Sequence, residues 1–295
     1  MDKIWGTSFH VCRQVPGESF RAAMTRHEHY LALRLGLKPG QRVLDVGCGI
    51  GGPAREIARF AEVEVCGIDS CLAHIQRAQA LTEPSNLSPG QARFLVRNFT
   101  ATNLPQGSFD RAYAIEATCY APDLTAVYGE AFRVLKPGGV FAVYEVALTE
   151  RYDDQCAEHR EILHRMESVA GNPHLKPTVE VMAAMKAVGF ELLSAEDLAD
   201  APGSFPWYRL IDGSFKRMGG FGETLAGGCL AAFYKTFSSR WGRDLLKYGE
   251  MVGILANGRQ GHVEEMIQVM QAYCIAGEEK LVTPMFLMVG RKPEV

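Results

Sequence analysis

The sequence predicts an α/β fold, a mostly parallel sheet with helices on both faces, and three observations predict it. From residue 39 to about residue 193, stretches with strand character alternate with stretches of helical periodicity, as happens where each parallel strand returns through a crossover helix. The apolar run Arg42-Val-Leu-Asp-Val46 passes straight into the glycine-crowded Gly47-Cys-Gly-Ile-Gly-Gly52 and then Pro53, a strand, tight turn and helix start in immediate succession. Near the other end, Pro284 to Gly290 is again an apolar run, followed by the charged Arg291-Lys292-Pro293, and reads as a last sheet strand.

The elements follow in order. The first 38 residues form an aromatic-rich cover segment, Trp5-Gly-Thr-Ser-Phe9-His10, with an amphipathic helix near 19–35 that ends before Pro39-Gly40. Strands are expected at 42–46, 63–68, 92–97, 109–115 and 140–146, with helices between them. A short helix at 179–189 is closed by Gly189, and strand character resumes at 190–194. Pairing of the last strand with 190–194 makes 200–280 an insertion. The expected organisation is therefore a cover at 1–38, a cofactor-binding core at 39–199, an α-rich, substrate-covering insertion at 200–280, and the last core strand with its tail at 281–295. Within the insertion Val263, Met266, Ile267, Met270, Tyr273 and Cys274 repeat at helical spacing and leave one apolar face. Ordinary core is one account of that face. A lid whose methionine and aromatic side chains adapt to an apolar ligand is the other.

Composition narrows the function class. A net charge of -3 with 31 scattered Lys and Arg offers no basic stripe for phosphates, so no nucleic-acid partner is expected. No apolar run is long enough for a membrane span or a signal core, so the expected location is cytoplasmic, membrane contact is peripheral at most, and a homo-oligomer is compatible with the composition. The eight cysteines show no Cys-x-x-Cys and read as reduced thiols. His27 and His29 flank Glu28, but a spacing of two puts them on different faces of a helix, so no metal site is expected.

The turn satisfies Gly-x-Gly-x-x-Gly through Gly47, Gly49 and Gly52, which by itself suggests a dinucleotide. Asp45 argues otherwise, because a carboxylate two residues before the first glycine repels a pyrophosphate. S-adenosylmethionine carries a sulfonium cation and an ammonium but no phosphate, so it is the expected cofactor, held by Asp45, Gly47, Cys48, Gly49 and Gly51. Asp69, with Ser70 beside it, ends the second strand eighteen residues after Gly51, where an acidic residue accepts from both ribose hydroxyls. Asn98 follows the third strand and has an oxygen for an adenine amino group, with the amide of Phe99 or Thr100 facing a ring nitrogen; a plain turn Asn looks the same. Glu116 and Glu145 fall at the carboxyl ends of the fourth and fifth strands, the edge where open α/β sheets bind ligands; a buried Glu is costly unless paired, so a structural hydrogen bond to a backbone amide is the other account of either.

Together with their flanks these residues resemble the sterol 24-C-methyltransferase family from end to end. The matching blocks are Trp5-Gly-Thr-Ser-Phe-His10, Gly17-Glu-Ser-Phe20, Arg26-His-Glu-His-Tyr30, Leu44-Asp-Val-Gly-Cys-Gly-Ile-Gly-Gly-Pro-Ala-Arg-Glu-Ile57, Tyr113-Ala-Ile-Glu-Ala-Thr-Cys119, Pro206-Trp-Tyr208 and Thr283-Pro-Met-Phe-Leu287. The resemblance implies a class I, Rossmann-like methyltransferase fold and methyl transfer from S-adenosylmethionine to a side-chain alkene carbon. Asp69 stands where the family commonly has Asn, Asn98 where it has Asp, and Tyr120 where it has His. The stretch between Ile211 and Gln260 also departs, which leaves a C-methyltransferase for another prenyl or terpenoid chain as the alternative. A protein that binds lipid and S-adenosylmethionine without turnover is a further one.

An alkene needs no base to attack a sulfonium methyl, so the expected tasks are in-line alignment, exclusion of water and stabilisation of a carbocation. Trp5, Phe9, Tyr120 and Tyr144 are candidates to offer ring faces, with Trp207 and Met270 lining the acceptor. Ordinary apolar packing explains the same residues. His10, Glu116, Glu145 and Tyr120 are the groups available to remove the final proton.

Overall fold

The computed structural model describes residues 6–170, 175–210, 236 and 259–294. Strands β1 (Arg42–Val46), β2 (Glu64–Asp69), β3 (Ala92–Val96), β4 (Phe109–Ile115), β5 (Leu135–Leu148), β6 (Glu191–Asp197) and β7 (Val282–Arg291) form one sheet in the order β3-β2-β1-β4-β5-β7-β6. The first five pair in parallel, whereas β7 runs antiparallel to both β5 and β6. The expected pairing of the last strand with the one after residue 190 is thus what the sheet contains.

Strand limits differ from expectation mainly at β5, which begins at Leu135 instead of residue 140. Pro137-Gly138-Gly139 reads as a turn, yet the chain stays in the sheet through a bulge between the pairs Phe109–Leu135 and Arg111–Val140, with Gly138 at φ 72°. A positive φ costs glycine nothing, so the bulge persists. Pro284 is likewise tolerated inside β7. Its missing N–H falls opposite the register shift between Glu145 and Ala147, where no ladder bond is lost.

Side-chain alternation along the strands produces two apolar faces. One holds Leu44, Val46, Ile68, Ala112, Ala114, Phe141 and Val143 and packs on α4 (Leu124–Val134) and α6 (Thr178–Ala187). The other holds Val43, Val65, Tyr113, Ala142, Tyr144 and Leu287 and is covered by α1 (Phe20–Arg34), α2 (Gly52–Ala61) and α3 (Leu72–Thr82). Ser19 caps α1 by accepting from the Ala22 amide. The helix then buries Phe20, Met24, His27, Glu28 and Leu31, each large apolar side chain contributing about 1.5–3 kcal/mol.

The last helix, α7 (Arg259–Glu278), packs against α5 (Ala157–Ala170). Ile267, Ala272, Cys274 and Ala276 are buried, and the carboxyl-terminal half shares a cluster with Ile162, Met166 and Val282. That half is core. Met266, expected on the apolar face, is instead 39 % exposed, because the contact seam runs through the small residues Ala272 and Ala276 that let the two helices approach. Among the described residues no helix is long and apolar enough to cross a membrane, and the described cysteines are free thiols.

Candidate active site

The carboxyl ends of β1, β2 and β4 meet at the glycine turn. Gly47 and Cys48 donate their amides to the Ile68 carbonyl, both at 2.9 Å, which folds the turn back over the end of β2. Three glycines there have positive φ: Gly47 at 79°, Gly49 at 51° and Gly51 at 74°. Two of them are also fixed by space, since a Cβ would lie 2.3 Å from Ala117 Cβ at Gly47 and 2.4 Å from the Phe94 ring at Gly51. Gly49 differs. Nothing lies within 4 Å of its Cβ position, so an added side chain there enters open cleft, the volume a bound cofactor requires.

Asp45 sits at the floor of this cleft, 3 % exposed, and its Oδ2 has no hydrogen-bond partner. Burial holds its carboxyl up to about 7, with the negative charge of Asp69 adding to the shift and the Tyr113 hydroxyl opposing it. A buried, unsatisfied carboxyl oxygen is costly unless something arrives to bind it, and a cationic ligand is suited to do so. Asp69 spans the turn, accepting from the Gly49 amide through Oδ2 at 3.0 Å and from the Cys71 amide through Oδ1 at 2.8 Å. Ser70 is exposed beside it. The cradle and the orphaned oxygen of Asp45 fit S-adenosylmethionine.

The loop after β3 gives a different picture. Asn98 Oδ1 accepts from both the amide and the hydroxyl of Thr100, each at 2.9 Å, the Asx turn that competes with a ligand-binding role. Phe99 is half-buried against the core.

Glu116 follows β4 in the left-handed region, φ 50°, a conformation that costs a non-glycine residue about 1–3 kcal/mol and clusters at functional sites. Its amide donates to the Tyr144 carbonyl at 2.9 Å. Its Oε1 accepts from the Val11 amide at 2.8 Å, which ties the amino-terminal segment to the end of the sheet. Desolvation holds the Glu116 carboxyl up to about 7, while the charge of His10 and the Val11 bond pull the other way. Residues 7–11 therefore form a strap. Thr7, Phe9 and His10 roof the cleft over the glycine turn, the Thr7 carbonyl lies against Gly52, and the cavity beneath is only about 50 Å³.

Other expected residues lie apart from this cleft. Tyr144 is fully buried, its ring stacked on His27 at 3.9 Å, so that face is taken up by an imidazole and not offered to a ligand. Glu145, one residue on, points to the opposite side of the sheet. Its Oε1 accepts from the Thr118 hydroxyl and, at 2.6 Å, from the Tyr128 hydroxyl, and it braces the 3-10 turn Thr118–Tyr120 from below. Tyr120, at the end of that turn, is 46 % exposed. Trp207 is buried against Ala199 and Met285 with Val11 packed on the cluster, its ring edge-on to Tyr273. It also borders a cavity of about 340 Å³, with Asp197, Asp200 and Lys280. Met270 is half-buried on α7, and Trp5 lies outside the described residues.

Sequence reasoning missed three contributors: Glu28, the Val11 amide and the Thr118–Tyr128 pair. Glu28 had a signal. It falls at helical spacing among Met24, His27 and Leu31, an acidic residue on the buried stripe. The other two had none, because a backbone amide and two hydroxyls distant in sequence carry no pattern.

A doubly covered sheet with an antiparallel β7, a glycine cradle and an acidic residue at the end of β2 define a class I S-adenosylmethionine-dependent methyltransferase. A methyltransferase-domain family model matches residues 44–143 and a sterol methyltransferase C-terminal model matches residues 236–294. The chain is 45 % identical to sterol 24-C-methyltransferase erg6 of Aspergillus fumigatus over 98 % of its length and 76 % of that protein's, and 42 % identical to ERG6 of Saccharomyces cerevisiae over 98 % and 74 %. It belongs to the sterol 24-C-methyltransferase family. The geranyl diphosphate C-methyltransferase of Streptomyces coelicolor shares the fold, with a TM-score of 0.68 at 16 % identity over 99 % of this chain and 93 % of that one.

Proposed function

We propose that this protein transfers the methyl group of S-adenosylmethionine to an alkene carbon of a sterol side chain. The observation that carries the reading is the placement of a cation-compatible cradle, floored by Asp45, at the same sheet edge as the tethered carboxyl of Glu116. In this reading Asp45 and the amides of the glycine turn hold the charged end of the cofactor, Asp69 receives the ribose, and the Phe99 amide faces the adenine. The bound cofactor supplies an electrophilic methyl on sulfur.

The protein's part is alignment, charge and proton removal. The strap leaves only about 50 Å³ over the turn, so in this reading residues 7–11 move aside to admit the cofactor and then exclude water, which matters because the π electrons that form the new carbon–carbon bond leave a carbocation on the acceptor. Glu116, whose carboxyl desolvation holds up to about 7, as a carboxylate opposes that positive charge and takes the proton whose loss restores a double bond. Glu145 is less suited to be the base, since its Oε1 already accepts from two hydroxyls beneath the turn. Tyr120 and Trp207 remain as aromatic contacts for the acceptor, with residues 1–38 as cover and 200–280 as the substrate-side insertion. The same reading places the enzyme in the cytoplasm, with membrane contact peripheral at most and self-association allowed.

A methyl-transfer assay with isotopically labelled cofactor tests the reading, comparing sterols that carry a side-chain double bond with prenylated non-sterols. Labelled sterol product is expected. Labelling of the prenylated compounds alone would assign the alternative acceptor class, and labelling of neither would remove the catalytic reading.

A further inference from the structure

His10 is buried, and both its ring nitrogens have partners. Nδ1 lies 2.9 Å from the Val11 carbonyl, and Nε2 lies 3.2 Å from Oε1 of Glu28. A carbonyl oxygen only accepts, so Nδ1 carries a hydrogen, and with Glu28 as a carboxylate Nε2 donates as well, leaving the ring protonated on both nitrogens. We infer that Glu28 is a positioning residue that holds His10 as an imidazolium and so seats the Val11 amide on Glu116. The strap connects the two ends. His10 is pinned by Glu28 from α1, its Nδ1–H grips the carbonyl of Val11, and the amide of that same residue donates to Glu116 at 2.8 Å.

The charged groups around His10 favour this state. Glu28 and Glu116 both raise its pKa against the burial that opposes protonation. Asp45 from β1 is a third acidic neighbour, and Arg55 from α2 acts on the same cluster through Glu28. His27, stacked on His10 at 5.2 Å, is driven neutral by burial and by the charge of His10. The two imidazoles are thus assigned different charge states, His10 cationic and His27 neutral. An imidazolium has no lone pair for a proton, so His10 is not the final base. Its positive charge instead offsets part of the desolvation that raises the Glu116 carboxyl. This role rests on the methyl-transfer reading only for its effect on turnover.

Nitrogen-15 spectra of the protein labelled at histidine test the charge state directly, with His10→Gln and His27→Gln identifying the signals. At neutral pH the His10 ring is expected to show two protonated nitrogens and His27 one. In Glu28→Gln, His10 should revert to a neutral ring, turnover should fall about tenfold or more with little change in cofactor affinity, and the acidic limb of the pH–rate profile should move to higher pH as Glu116 loses its neighbouring cation. Glu28→Asp should restore the doubly protonated signal and part of the turnover. A singly protonated His10 in the unaltered protein, with Glu28 carrying the proton instead, would overturn the inference. So would a Glu28→Gln variant with unchanged spectra and pH profile. Protonation as expected in a protein that methylates no sterol would leave this assignment standing and defeat the functional reading instead.

Discussion

Cofactor affinity should depend on pH through Asp45. The group is buried, lacks a partner on Oδ2 and is held up to about 7, so below that value it is mostly protonated and a cationic ligand must displace a proton to bind. The sign follows. Affinity is low on the acid side, rises as the carboxyl ionises, and levels off above about pH 8. A carboxyl with a free-state pKa near 7 that is fully ionised in the complex makes Kd about tenfold weaker at about pH 6 than at about pH 8, or about 1.4 kcal/mol. Glu116 titrates in the same range, so the measurement is made in Glu116→Gln, where Asp45 is isolated. Calorimetry in two buffers of different ionisation enthalpy should then register about half a proton released per cofactor bound near pH 7. Asp45→Asn should flatten the pH dependence and weaken binding by about 1.5–3 kcal/mol, the worth of a hydrogen bond to a charged group. A Kd that does not change across this range, with no proton released, would refute the placement of Asp45 against a cation.

Four further outcomes are expected. Glu116→Gln should lower turnover by about 10²–10⁴ with only a modest loss of cofactor affinity; unchanged turnover would move the proton-transfer role to another group. Tyr128→Phe removes one of the two hydroxyls on buried Glu145 and should destabilise the fold by about 1–3 kcal/mol in denaturant titrations while cofactor binding persists. Glu145 is raised from 4.5 to about 7 by burial, so the folded state holds its proton more tightly than the unfolded one. Its contribution is present below pH 4.5 and is lost as pH rises through about 7, costing up to about 3 kcal/mol; Glu145→Gln should remove that fall from a pH series of unfolding free energies. Gly52→Ala places a Cβ 2.2 Å from the Thr7 carbonyl and should lift the strap, seen as faster proteolysis ahead of Phe20 and reduced turnover in a protein that is still folded.

Much of the candidate site was legible because it depends on local chemistry. The glycines of the turn could be recognised from sequence since positive φ and close approach leave no other residue, and the structure adds the reason at each, Ala117 at Gly47 and Phe94 at Gly51. Asp45, Asp69 and Glu116 could be placed because strand ends in a parallel sheet converge on one edge. Tyr144 and Glu145 show the limit. Adjacent residues of one strand face opposite sides, so one lies under His27 and the other under Thr118, and neither neighbour can be inferred from spacing.

The alternation of elements, the glycine turn and the acidic strand ends are properties of the sequence alone, since each is enforced within a few residues by sterics, periodicity or charge. The closure of residues 7–11 over the cradle, the bond from Val11 to Glu116 and the buried His10–Glu28 pair were decided only by tertiary structure. These contacts join residues 105 and 18 positions apart, and whether a carboxyl or an imidazole is charged depends on how completely the fold removes it from water.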